Sequence, residues 1–184
     1  MLQFPPMPSW DSLHVLIIHF PIALLLLSPI FILISTALTP PKGRPYIIVA
    51  LIIMVLGTAS LFLATASGHS AAELADRDAG VAGVLKIHEQ LGEESGIVFG
   101  GLTAILFCMV LVPKLLRRDE NRLFSTFLPS AFLALYTVGI LFLINTAHAG
   151  GRLVHEFGVH ALLPVSHDDS PVTPEAQAES SDGR

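Results

Sequence analysis

The sequence predicts an all-α integral membrane protein, folded as an up-down-up-down four-helix transmembrane bundle. Three observations carry that expectation. Of the 184 residues, 52% are hydrophobic and only 14% charged, whereas a soluble domain carries about a quarter charged residues. The mean hydropathy is correspondingly high, at +0.68. Four apolar runs then appear, each about 20 residues or longer, the length needed to cross a bilayer, and breakers or charged residues divide the first from the second and the third from the fourth.

The first span is expected at about 13–38. The residues before it, MLQFPPMPSWD, hold no basic side chain, so the run reads as a retained span rather than a cleaved signal peptide, with Trp10 as an interfacial anchor. Pro21 cannot donate a hydrogen bond to residue 17, so a kink is expected there, and Pro29 adds a second irregularity. Residues 39–45, Thr-Pro-Pro-Lys-Gly-Arg-Pro, form a turn of helix breakers before the second span at 46–69. That span carries the small residues Thr58-Ala59-Ser60 and Ala64-Thr65-Ala66-Ser67-Gly68, which permit close approach of a neighbour. The third span, at 86–113, has Gly96, Gly100 and Gly101 for the same purpose. The fourth, at 123–148, is expected to end at Gly150-Gly151, with Leu153, Val154, Phe157 and Val159 forming a short interfacial cap. Residues 1–161 thus make one membrane domain, and the polar, acidic stretch 162–184 reads as a disordered tail. No internal repeat stands out.

Charge sets the orientation. Lys42, Arg44, Lys114, Arg117, Arg118 and Arg122 crowd the two short loops, six of the ten basic residues. The positive-inside bias places those loops in the cytoplasm and both termini outside, which in a bacterial inner membrane is the periplasm. The net charge of −5 excludes a basic nucleic-acid binder. A single cysteine, Cys108, excludes an internal disulfide, a cysteine-rich zinc site and covalent c-type haem attachment.

Eight histidines are the unusual count, and all fall toward the expected outer side. Counted from the basic end of each run, His14, His88 and His148 lie 25 residues away and His69 lies 24. At the helical rise these four sit roughly 36–38 Å above the basic face, with His19 about 30 Å up. Each span therefore offers one imidazole to a common layer, where ionisable groups generally mark a site. His160 and His167 lie in or near the tail and read as bystanders.

Elimination narrows the chemistry of that layer. Zinc-protease spacing fails, since position 92 is Gly92 and not histidine. The spans lack the carboxylates of a di-iron bundle. Cys108 and Met109 lie toward the other end of span three, which weakens a copper(I) site. All-imidazole ligation of one or two b-type haems fits best, with His14, His19, His69, His88, His148 and His155 as candidate ligands. Arg77, Lys86 and Arg152 are candidate partners for haem propionates. Glu93 could orient a ligand imidazole, and Asn145 and Thr146 could do so too or line a quinone pocket.

His14-Val-Leu-Ile-Ile-His19-Phe-Pro-Ile-Ala-Leu-Leu resembles the opening of the family catalogued as domain of unknown function 2231. Lys86-Ile-His88 resembles that family's histidine at the head of span three. Gly150-Gly151-Arg-Leu-Val-His155-Glu-Phe-Gly158-Val is similar to its closing motif. The resemblance covers about residues 13–161, departs from the usual proline after the first histidine at Val15, and implies a four-span bacterial membrane protein. It also implies association with c-type cytochromes. The functional expectation is therefore a membrane b-type cytochrome subunit that exchanges electrons with a periplasmic c-type cytochrome or dehydrogenase, and with quinone. The rival expectations are a copper- or zinc-binding membrane protein and a structural subunit of a larger redox complex.

Overall fold

The computed structural model describes residues 10, 13–73, 79–116 and 121–159. Helices α1 (Leu13–Ile17) and α2 (His19–Ala37) form the first span, α3 (Pro40–Glu73) the second and α4 (Ala79–Leu115) the third. A single π-helical turn, Leu123–Phe127, leads into α5 (Leu128–His155) to complete the fourth. No strand occurs among the described residues. All four spans are long and apolar enough to cross a membrane. Neighbours in sequence are neighbours in space, and α5 closes the ring against α2.

Helix boundaries follow local chemistry. The first span breaks at Ile18, three residues before Pro21, where the missing proline N–H leaves the ladder one bond short. The bonds from Ile18 N–H to the His14 carbonyl and from Ile22 N–H to the Ile18 carbonyl hold the two pieces together. Pro40 and Pro41 start α3 rather than merely breaking the chain, because proline suits a first helical turn. The fourth span differs from expectation at its end: helix continues through Gly150-Gly151 to His155. The stop comes at Gly158, whose φ of +64° is the left-handed conformation of a helix C-terminal glycine. Val159 N–H then bonds the Leu153 carbonyl at 3.0 Å, so the chain folds back over the last turn of the helix. The expected cap residues are thus partly helix and partly its terminus. Leu153, Phe157 and Val159 pack on Val81, Val84 and Leu85 in a small second core at the histidine end.

Each span buries one stripe at alternating three- and four-residue spacing, the knobs-into-holes pattern of a left-handed bundle. Pro21, Leu25, Ser28, Ile32 and Ser35 form the stripe of α2, and Ala50, Met54, Gly57, Leu61 and Ala64 that of α3. Ser95, Phe99, Leu102 and Leu106 serve α4, while Pro129, Phe132, Tyr136, Gly139 and Leu143 serve α5. Hydrogen bonds cross the core where backbone groups would otherwise go unpaired. Pro29 has no N–H to offer the carbonyl of Leu25, and the buried Tyr136 hydroxyl donates to that carbonyl instead, at 2.7 Å. Thr58 and Thr103 join α3 to α4 through their hydroxyls at 2.8 Å.

These stripes expose a duplication. Shifting α1–α2 by 74 positions sets His14 on His88, Leu25 on Phe99, Ser28 on Leu102 and Ile32 on Leu106, and each of the last three pairs is buried in both halves. Shifting α3 by 82 positions sets Ala50 on Phe132, Met54 on Tyr136, Gly57 on Gly139 and Leu61 on Leu143. The contacts repeat as well. A Cβ on Gly57 would meet Leu25 at 2.9 Å, and one on Gly139 would meet Phe99 at 3.1 Å. The packing thus repeats between the two helical hairpins, and these positions come in equivalent pairs.

Candidate functional site

His14 on α1 and His88 on α4, at equivalent positions of the two hairpins, meet at one end of the bundle. Their ring centroids lie 6.4 Å apart and the ring planes are nearly perpendicular, at 83°. Each imidazole is held by the helix that partners its own in the hairpin. His14 Nδ1 lies 2.9 Å from the carbonyl oxygen of Ala64 on α3, and His88 Nδ1 lies 3.0 Å from that of Thr146 on α5. A carbonyl only accepts, so Nδ1 carries the proton in both rings. Nε2 of each is then the nitrogen with a free lone pair.

Glycine supplies the room for these rings. Four residues beyond each accepting carbonyl stands Gly68 or Gly150. A Cβ on Gly68 would lie 2.9 Å from Cε1 of His14, and one on Gly150 would lie 2.9 Å from Cε1 of His88. No alanine fits there without moving the imidazole. The same unit, an accepting carbonyl with glycine one turn on, thus seats both rings.

Small hydroxyls brace the carbonyls. Ser67, fully buried, donates to the Ala64 carbonyl at 3.0 Å and also lies 3.4 Å from His14 Nδ1. Across the bundle Thr146 donates to Phe142 at 2.9 Å, so the buried Ser95 hydroxyl donates to Thr146 Oγ1 at 3.0 Å. That chain fixes the turn of α5 whose carbonyl holds His88. Ser95 and the seating roles of Ala64, Gly68 and Gly150 did not emerge from the sequence. The signal was present: a glycine follows each of positions 64 and 146 by four residues, and a buried Leu25 or Phe99 follows each histidine by eleven.

The remaining histidines stand apart from the pair. His69 on α3 approaches Glu93 on α4, with Nε2 3.3 Å from Oε1 and both side chains about half exposed. Glu93 therefore meets an imidazole, as expected of an orienting carboxylate, but a ring outside the facing pair. His19, His148 and His155 are exposed on their helices. Arg152 is engaged by Glu156 in an ion pair of 2.8 Å, and Lys86 is exposed. The Asn145 amide donates to the Leu141 carbonyl of its own helix. Arg77, His160, His167 and the expected disordered tail lie outside the described residues.

The donor count limits what two imidazoles can hold. No cluster of three or more histidine, cysteine or carboxylate side chains assembles among the described residues. A zinc centre built from three or four protein ligands is not formed by that set. What the pair itself offers a ligand or metal is two Nε2 lone pairs, on rings whose centroids lie 6.4 Å apart.

Among known families, a model described as a predicted membrane protein, DUF2231, matches residues 11–162. No curated protein and no solved structure matches the chain.

Proposed function

The chain belongs to the DUF2231 family of predicted membrane proteins, and on that footing we propose that its histidine end holds one b-type haem between His14 and His88, making it a membrane electron carrier. The observation that carries the reading is the pair itself, two imidazoles on pseudo-equivalent helices 6.4 Å apart, each with Nδ1 committed to a carbonyl and Nε2 left for iron. Haem so held would pass single electrons between its ferric and ferrous states. The chain's own contribution is orientation and basicity. A carbonyl accepting from Nδ1 fixes the tautomer and enriches electron density at Nε2, which strengthens a metal bond. The pairing supports one haem rather than two, because among the described residues His14 and His88 are the equivalent imidazoles that meet.

The positive-inside bias puts this end on the periplasmic side of a bacterial inner membrane. Glu73, Glu89, Glu93, Glu94 and Glu156 belong to the same end, against Lys86 and Arg152. An excess of acidic groups there favours a basic docking partner, consistent with a soluble c-type cytochrome or dehydrogenase as the electron-exchange protein. Quinone as a second redox partner remains part of the proposal.

The test is a reduced-minus-oxidised optical spectrum with haem quantified per chain. The reading expects one low-spin b-type haem, lost in His14→Ala and in His88→Ala and retained in His19→Ala, His69→Ala, His148→Ala and His155→Ala. Copper or zinc bound without porphyrin would instead make the site a metal-binding one. Haem retained in both His14→Ala and His88→Ala would move the ligands elsewhere.

A further inference from the structure

The two hairpins differ most at the end opposite the histidines. In the first, Gly43 lets α3 close on α2, since a Cβ there would collide with the carbonyl of Ser35. The equivalent place in the second hairpin is Ser125, and it lies within the π-helical turn Leu123–Phe127, where Leu128 N–H bonds the Leu123 carbonyl five residues back. A π-turn inserts an extra residue and commonly marks a functional position. Two neighbouring spaces lie beside this turn.

One is a cavity of about 50 Å³ at the basic mouth of the bundle, lined by Ser35, Arg44 and Ser125 among others. It exceeds the room one water needs. Ser125 Oγ is buried and has no hydrogen-bond partner. A buried hydroxyl without a partner is costly, so one on a residue that lines a cavity points to a ligand that satisfies it. The other is an almost wholly apolar groove of about 410 Å³ along α4, running past Ile105 and Cys108. Met109, Pro113 and Phe124 line both spaces, which are therefore adjacent. A small space that Arg44 and two serines help to line, next to an apolar groove along a span, suits an amphiphile.

We propose that this is a binding site for an anionic phospholipid, with its phosphate in the cavity near Arg44 and Ser125 and one acyl chain in the groove. Lys42, Lys114 and Arg122 belong to the same end and add to the positive potential that favours an anionic over a zwitterionic headgroup. The site is independent of the histidine pair and stands or falls separately from it.

Native mass spectrometry and thermal melting of the detergent-purified, delipidated chain test it, with dioleoylphosphatidylglycerol, dioleoylphosphatidylcholine or inorganic phosphate added. One phosphatidylglycerol should stay bound and raise the Tm, while phosphatidylcholine and free phosphate should do neither. Arg44→Gln should weaken binding roughly fivefold, the worth of one cation at a membrane surface. Because Arg44→Gln could also disturb folding, Ser125→Ala and the groove-filling Ile105→Trp supply a second line, and each should weaken binding with the fold intact. Equal retention of both lipids, the same Tm shift from free phosphate, a quinone retained in place of lipid, or undiminished binding in both Ser125→Ala and Ile105→Trp would overturn the proposal.

Discussion

At the scale of single residues, the two glycines beneath the imidazoles are as informative as the histidines. Gly68 and Gly150 each leave 2.9 Å between a hypothetical Cβ and a ring carbon, too little for a methyl group. Gly68→Ala and Gly150→Ala should each push an imidazole off its seat and lower haem content, whereas Gly151→Ala, with nothing within 4 Å of its Cβ, should not. Haem quantified per folded chain reads the difference, and equal content in all three variants would detach the glycines from the site. Histidine number was legible in the sequence, since composition gives it. Pairing was not. Depth places His14, His69, His88 and His148 in one layer, but which of them face inward depends on helix rotation. In a span with lipid on one side and protein on the other, both apolar, hydrophobicity gives no sign of that rotation.

At the scale of helices, the missing N–H of Pro29 and the Tyr136 hydroxyl act as one unit. Tyr136→Phe leaves the Leu25 carbonyl unpaired in the core and should lower unfolding free energy by about 1–3 kcal/mol. Pro29→Ala restores a donor within α2, so the same Tyr136→Phe change should cost less in that background. Detergent unfolding of the four proteins in a double-mutant cycle measures the coupling, and strict additivity would separate the two features. Span existence was readable from apolar length alone, whereas the end of the fourth span was not. Gly150-Gly151 has the composition of a stop, but the structural need at Gly150 is space for His88, and the stop is Gly158. A glycine serves either purpose, and only the neighbouring helix reveals which.

At the scale of the molecule, the chain is a duplicated hairpin whose basic loops share one end. A reporter fused after residue 170 should be active only on the outer side of the membrane, because Lys42, Arg44, Lys114 and Arg122 hold the opposite end inside. Cytoplasmic activity would invert the topology and with it the side proposed for electron exchange with a partner. The duplication escaped the sequence because the two halves share burial pattern rather than residue identity: Leu25 matches Phe99, Ser28 matches Leu102 and Met54 matches Tyr136. Burial at equivalent positions suffices to repeat a packing stripe, so size and chemistry at each site were free to change. What the halves retain is an imidazole, the carbonyl that holds it and the glycine that admits it.

Electron paramagnetic resonance of the oxidised protein tests that central claim most directly. Two axial imidazoles with perpendicular planes give ferric haem a highly anisotropic low-spin signal, and the 83° between His14 and His88 predicts that form. His14→Ala and His88→Ala should each abolish it, and His148→Ala should leave it unchanged. A high-spin signal, the rhombic signal of parallel imidazoles, or no haem signal at all would contradict the account.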